Sequence, residues 1–202
     1  MEVVETVLEL GGRAIRIAHP PTADELIDER AFEHEEFLPY WAELWPSSLA
    51  LARMLASSSL TGLRVVELGC GLALPSVVAA LHGAKALATD WSPEALVFAA
   101  RNAELNGAEL ETARLAWAEP ELPPGRFDLV LAADVLYERR NVAQLLALLP
   151  RLGDEVLLAD PGRPALPAFL EGAVAAFEIE TTAAPELPRG GIHRLRRRAA
   201  YA

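Results

Sequence analysis

The chain has 202 residues, of which 52% are hydrophobic and 23% charged, and its formal net charge at pH 7 is −11. A chain of this length can bury a core without disulfides or a structural metal. The negative charge disfavours a nucleic-acid partner, because proteins that bind a phosphate backbone generally present a basic face. Cys70 is the single cysteine, so no internal disulfide is possible and a reducing, cytoplasmic setting is expected.

No targeting segment, membrane span or metal site is expected. Glu2 and Glu5 stand where a secretory signal needs a basic start. The most apolar stretch, residues 72–89, is interrupted by proline, glycine and polar residues, which a membrane span does not tolerate. The four histidines lie far apart in the sequence, without the spacing of paired metal ligands.

The first 60 residues predict a β-hairpin followed by helices. Residues 3–10 and 13–18 alternate apolar and polar side chains on either side of two glycines, which is typical of a hairpin. Residues 22–36 contain seven acids and are spaced for a short amphipathic helix. A solvated helix face is the simplest interpretation of these acids, and steering of a basic substrate surface is the alternative. A further helix over 49–56 has Ser47 as its predicted N-cap.

From residue 64 onward, strand-like and helical runs alternate. The strand-like runs are 64–68, 84–89, 110–116, 128–132 and 155–159, and the helical runs are 75–82, 93–106, 141–149 and 165–177. This alternation predicts right-handed crossovers and a parallel sheet with helices on both faces. The final strands, 178–182 and 192–197, have no helix between them and are expected to pair antiparallel.

The predicted fold is therefore an α/β, Rossmann-like, doubly wound sheet that ends in an antiparallel hairpin. This is the arrangement of the class I methyltransferases, which the chain resembles in architecture, whereas the common dinucleotide fold lacks the hairpin. Residues 1–202 are predicted to form one domain, in which the hairpin and helices of 1–60 cap the ligand site of a core over 61–202.

Residues 65–75 predict a buried strand that enters a glycine turn and then a helix with Pro75 in its first position. Gly69 and Gly71 would let the backbone approach a ligand, and free N–H groups there would suit an anionic group. In open α/β sheets, ligands lie beyond the carboxyl ends of the strands, where this loop projects. Leu74 replaces the third glycine of the dinucleotide fingerprint, which argues against NAD.

Two acids indicate the kind of ligand. Asp90 ends the second strand of the core 21 residues after Gly69, at the separation from which an acid hydrogen-bonds ribose hydroxyls. Glu67 adds a carboxylate just before the glycines, which would suit a cationic amino acid moiety of a ligand better than a pyrophosphate. Together they describe a ligand with a ribose and an α-amino acid, as S-adenosylmethionine has. The alternatives are a helix cap for Asp90 and a structural acceptor for Glu67. Cys70 is rejected as a nucleophile, since no histidine lies near it in sequence.

Four segments resemble the family 16 protein methyltransferases: residues 39–46 (PYWAELWP), residues 69–71 (GCG, the glycine loop), residues 115–117 (LAW) and residues 133–137 (ADVLY). The likeness extends over almost the whole chain. Residues 160–164 (DPGRP) resemble the branch that methylates lysines of the electron transfer flavoprotein β-subunit. The resemblance implies S-adenosyl-L-methionine as cofactor and S-adenosyl-L-homocysteine as product.

The resemblance also implies roles for individual residues. Trp45 would pack against the cofactor, and Gly69, Cys70 and Gly71 would hold its methionine part. Asp90 would take the ribose, and Trp117 and Ala133 would lie beside the adenosyl group. For the tryptophans ordinary packing is the alternative, and for Trp41 packing is the preferred interpretation.

Asp134 and Tyr137 match the family's acid-x-x-aromatic motif, which faces the methyl acceptor. They are the expected catalytic pair, in which Asp134 orients an incoming lysine and Tyr137 walls or hydrogen-bonds it. The alternative for Asp134 is a cap on the following helix.

The expected function is transfer of methyl groups to lysine side chains of a protein, with an electron transfer flavoprotein subunit as the first candidate. Three alternatives remain open. The acceptor is a small amine or heteroaromatic nitrogen, the chain binds the cofactor without turnover, or, last, it is an NAD-dependent oxidoreductase.

Overall fold

The computed structural model describes residues 2–21, 39–118, 120–121 and 125–199. The chain begins with the predicted hairpin, in which β1 (Val4–Leu10) pairs antiparallel with β2 (Arg13–His19). Its two-residue turn places Gly11 and Gly12 at φ +59° and +78°, values that favour glycine. The apolar face of β2 is buried in the core, which ties the hairpin to the rest of the fold.

The remaining strands form one seven-stranded sheet in the order β5-β4-β3-β6-β7-β9-β8. They are β3 (Arg64–Leu68), β4 (Lys85–Asp90), β5 (Leu110–Arg114), β6 (Leu129–Ala133), β7 (Glu155–Asp160), β8 (Phe177–Thr182) and β9 (Gly191–Arg197). Strands β3 to β7 are parallel, and β9 is antiparallel to both β7 and β8. The predicted parallel sheet with a terminal antiparallel hairpin is confirmed.

Five α-helices are described: α1 (Pro46–Leu55), α2 (Leu74–Leu81), α3 (Pro93–Asn106), α4 (Arg139–Leu152) and α5 (Leu166–Ala173). One core cluster includes side chains of α1, α2 and β2, and a second includes side chains of α4 and α5. Strands β3 and β6 are buried along nearly their whole length because both faces of the sheet are covered. Among the described residues, no helix is both long and apolar enough to cross a membrane.

Several predicted boundaries need correction. Helix α1 begins at Pro46, because proline suits the first helical position, so Ser47 is a buried first-turn residue and not the N-cap. Pro75 is the second residue of α2, since Ala73 in the left-handed region makes Leu74 the first. Helix α5 ends at Ala173, well before the predicted 177, because a turn precedes β8. The predicted helix over 22–36 lies outside the described residues.

Candidate functional site

The strand order reverses between β3 and β6, and a cavity of about 600 Å³ opens at that point. This is the place where open α/β sheets bind ligands, and the volume is that of a pocket for a drug-sized molecule. The ten residues predicted for the site all line this one cavity. They are Trp45, Glu67, Gly69, Cys70, Gly71, Asp90, Trp117, Ala133, Asp134 and Tyr137.

At two positions of the glycine loop, glycine is favoured by the backbone conformation and by the lack of space for a Cβ. Gly69 and Gly71 have φ of +62° and +51°. A Cβ on Gly69 would lie 3.1 Å from Cζ2 of Trp117, and one on Gly71 would lie 3.0 Å from the carbonyl oxygen of Trp41. Cys70 between them is buried, and burial raises the pKa of its thiol well above the usual value. A thiolate nucleophile is thereby disfavoured.

Asp90 fixes the glycine loop from the neighbouring strand. Its Oδ2 accepts the backbone N–H of Gly71 at 2.9 Å, and its Oδ1 accepts that of Ser92 at 3.0 Å. The N–H of Cys70 is bonded to the carbonyl of Thr89, so two loop N–H groups expected to be free for an anion are occupied. Backbone N–H groups of Gly71, Ser92 and Trp91 bond to this carboxylate, which has about four acceptor positions and so keeps capacity for a further hydrogen bond. Burial raises the pKa of this carboxyl.

Glu67 is wholly enclosed at the end of β3. Its Oε2 accepts hydrogen bonds from the backbone N–H and the hydroxyl of Ser76 in α2. The carboxyl therefore anchors the start of α2, which was the alternative interpretation, while also lining the cavity. Burial, followed by the smaller effect of Asp90, raises the pKa of Glu67 to about 8.

Aromatic side chains line the cavity near Asp134. The ring centroids of Tyr40 and Tyr137 are 5.6 Å apart, and those of Tyr40 and Trp45 are 6.4 Å apart. The indole N–H of Trp45 donates to the carbonyl of Tyr40 at 2.7 Å, which fixes the ring. Burial is the largest of the effects that raise the pKa of Tyr137 to about 12, so its phenol is neutral. Trp41 packs against Phe98, as preferred from the sequence, and its edge also faces the cavity.

Asp134 does not cap the next helix, whose N-cap is Glu138. It has a φ of +58°, is buried, and its backbone N–H donates to the carbonyl of Ala159 in β7. Both of its oxygens accept from Arg163, at 2.7 Å from Nε and 3.1 Å from Nη2. The guanidinium carbon of Arg163 lies 5.7 Å from the ring centroid of Trp45.

Sequence reasoning assigned no individual role to Tyr40 or Arg163. Tyr40 belongs to the segment 39–46, and Arg163 to the segment 160–164, which served only as marks of resemblance. Their role in the cavity depends on the strand order, because β6 and β7 are neighbours and their carboxyl ends carry Asp134 and Arg163 to the same place.

Comparison with known proteins gives consistent findings. A family model described as lysine methyltransferase matches residues 35–158. Protein N-lysine methyltransferase METTL21A of Danio rerio is 36% identical over 128 residues, 58% of this chain and 58% of that protein. The electron transfer flavoprotein beta subunit lysine methyltransferase of Danio rerio is 35% identical over 135 residues, 62% of this chain and 51% of that protein. The chain thus spans little more than half the length of these curated relatives.

Among solved structures, the 16S rRNA N2 G1207 methyltransferase of T. thermophilus superposes with a TM-score of 0.65 and 18% identity. The superposition covers 97% of this chain and 51% of that one. The shared feature is the class I methyltransferase fold, as expected from the sequence.

Proposed function

The chain belongs to the lysine methyltransferase family, and from this premise we propose that it transfers a methyl group from S-adenosyl-L-methionine to a lysine side chain of a protein. One observation supports this most directly. A single cavity has the glycine loop, Glu67 and Asp90 on one side and Asp134 with the aromatic residues on the other. A cofactor half and an acceptor half therefore share one enclosed space.

The residues present fit S-adenosyl-L-methionine. Gly69 and Gly71 leave room that a Cβ would fill, and Glu67 offers a carboxyl for the α-ammonium of the methionine part. Asp90 keeps acceptor capacity for the ribose hydroxyls, while Trp45, Trp117 and Ala133 supply apolar surface for the adenosyl group. The bound cofactor would supply an electrophilic methyl group on a sulfonium.

The acceptor half has to align a neutral amine with that methyl group, since an in-line displacement needs a lone pair on the attacking nitrogen. Asp134 is fixed by its backbone bond to β7, and Tyr40 and Tyr137 would wall the aliphatic stem of a lysine. A lysine in water has a pKa of about 10.4, and desolvation among aromatic rings lowers it. In this proposal these residues orient and desolvate the acceptor, and S-adenosyl-L-homocysteine is the product.

A protein acceptor is supported by relatives named as protein N-lysine methyltransferases. The electron transfer flavoprotein β-subunit is the first acceptor to test, because one relative is named for it and residues 160–164 resemble that branch. A basic patch on the acceptor would also complement the net charge of −11.

The test is incubation of the purified chain with methyl-labelled cofactor and a bacterial extract, separated into protein and small-molecule fractions. Asp134→Asn is the diagnostic variant, because asparagine tolerates a positive φ but cannot make both hydrogen bonds with Arg163 that hold the side chain in place. We expect label on lysines of one or a few protein bands, reduced about 100-fold in the variant through misplacement of the acceptor. Asp154→Asn, an exposed acid ion-paired to Arg126 far from the cavity, is the matched control and should keep full activity.

Other outcomes would replace the proposal. Label confined to the small-molecule fraction would make the acceptor a small amine or heterocycle. Tight cofactor binding without transfer to any fraction would indicate a protein that binds the cofactor without turnover. Full activity of Asp134→Asn would remove Asp134 from the acceptor site.

A further inference from the structure

The carboxylate expected to meet the acceptor is already paired. Arg163 approaches Asp134 with two parallel hydrogen bonds, the geometry in which arginine binds carboxylates most strongly. The Asp134 side chain is only 5% exposed and that of Arg163 32%, so the pair is screened little by water.

The loop that carries Arg163 is held in place by Asp160, the last residue of β7. Oδ1 of the fully buried Asp160 accepts the backbone N–H groups of Gly162 at 2.8 Å and Arg163 at 2.7 Å. Gly162 has a φ of +93°, and a Cβ there would lie 2.6 Å from the carbonyl oxygen of Arg189. With Trp45 against its guanidinium, Arg163 is held by three separate contacts and is preorganised on Asp134.

This pairing matters for the chemistry of an amine acceptor. An unpaired carboxylate beside a lysine stabilises the ammonium form and raises the lysine pKa by about 1 to 3 units. The ammonium has no lone pair and cannot attack a methyl group. A carboxylate already neutralised by a guanidinium can still accept a hydrogen bond, but it no longer holds the amine in its charged form.

We propose that Arg163 is a positioning residue whose guanidinium compensates the negative charge of the Asp134 carboxylate. The acceptor lysine can then lose its proton on entering the site. This proposal rests on the lysine methyltransferase function proposed above. Arginine is suited to the task because its guanidinium stays protonated across the assay range, and the bonds to Asp134 raise the pKa of Arg163 further.

Other titratable groups face the same space. They are Tyr40, Glu43, Glu67, Cys70, Asp90, Tyr137, Glu138 and Arg140 in the cavity, with Asp160 behind Arg163 and His193 near Asp160. Glu138 and Arg140 form their own ion pair at 2.5 Å, and Tyr137 stays neutral across the assay range because burial is the largest of the effects that raise its pKa to about 12. Glu67, with a pKa of about 8, titrates within the assay range, so the cofactor is kept saturating at every pH and the profile of the variant is compared with that of the wild type. The difference between the two profiles then reports on the loss of the Arg163 charge beside Asp134.

The test compares Arg163→Gln with Arg53→Gln, using the acceptor found by the labelling experiment and measuring kcat and KM from pH 6 to pH 10. Arg53 is half-exposed, pairs with the largely buried Glu186 and does not line the cavity, so its variant removes the same charge from a comparable ion pair elsewhere. For Arg163→Gln we expect the acidic limb of kcat to move up by about one pH unit or more. The kcat at pH 7 would then fall about tenfold and largely recover at pH 9, while KM for the acceptor stays equal or decreases.

Arg163→Lys keeps the positive charge. It therefore shows whether the effect of Arg163→Gln comes from the lost charge or from a disturbed structure. We expect it to return the acidic limb close to its original position. An equal loss of kcat at every pH, an unmoved limb, or a lysine variant that behaves like the glutamine variant would overturn the proposal. A wild-type protein that labels no lysine would instead show that the proposed function itself has failed.

Discussion

At the scale of single residues, the two acids of the cofactor half have both a structural and a binding capacity. Glu67 anchors Ser76 at the start of α2, and Asp90 holds the N–H of Gly71. For Glu67 the alternative from the sequence, a structural acceptor, is therefore compatible with ligand binding. The alternative for Asp90, a helix cap, is wrong, because Ser92 is the N-cap of α3. Burial raises the pKa of both carboxyls, and that of Glu67 reaches about 8.

The raised pKa of Glu67 makes cofactor binding depend on pH. Below pH 8 the carboxyl is mostly protonated, and an α-ammonium would bind its ionised form, so binding releases a proton and weakens as the pH falls. We expect the Kd of S-adenosylhomocysteine, measured by calorimetry, to be about tenfold lower at pH 7 than at pH 6. Glu67→Gln should abolish this difference. An identical pH dependence in the variant would mean that Glu67 serves only as the acceptor for Ser76.

At the scale of elements, Asn102 of α3 joins the hairpin to the glycine loop. Its side chain accepts the backbone N–H of Ala18 and donates to the carbonyls of Ala18 and Leu72, and it is fully buried. One buried amide thus bridges the N-terminal hairpin and the glycine loop, in addition to the packing of β2 in the core. Asn106, one turn later, makes the same kind of contacts to Arg16 at the exposed end of the helix.

Asn102 and Asn106 provide a matched test of this attachment. Asn102→Ala leaves three buried backbone groups unpaired, so we expect it to lower the free energy of unfolding by about 3 kcal/mol. Asn106→Ala exposes its backbone partners to water and should cost less than about 1 kcal/mol. Urea unfolding of both variants measures the difference. Equal losses would show that the buried amide does not hold the hairpin more firmly than the exposed one.

At the scale of the whole molecule, the net charge of −11 affects how a protein acceptor arrives. The seven acids between Asp24 and Glu36 lie outside the described residues, and their part in steering stays a hypothesis from the sequence. Long-range attraction between an acidic enzyme and a basic acceptor is screened by salt, whereas the bonds inside the cavity are not.

We therefore expect KM for a basic protein acceptor to increase about tenfold between 50 and 500 mM NaCl, with kcat little changed. Replacing four of the acids in 24–36 by their amides should flatten this dependence if that segment contributes. A lysine peptide without basic neighbours is the control, and its KM should vary little. A salt-independent KM for the protein acceptor would exclude electrostatic steering.

The sequence by itself determined most of the architecture. Apolar runs bounded by turn residues located the strands, and β3 (Arg64–Leu68) and α3 (Pro93–Asn106) have the predicted ends. The least accurate boundaries lie at the start of α1 and the end of α5, where proline geometry and a turn override helical periodicity, and at the end of α4, which continues to Leu152 beyond the predicted 149. The ten residues expected at the site all line one cavity, because each stands at a strand end or in a local motif, and their roles stay a prediction.

Only the tertiary structure decided which side chains meet. The order β3-β6-β7 cannot be read from a pattern of alternating elements, and it is this order that places Ala133 beside Ala159. The chain segments after these strands are then neighbours, and Arg163 reaches Asp134 across 29 residues of sequence. Local periodicity encodes which face of an element is buried, but a pairing between distant loops depends on how the whole sheet is assembled.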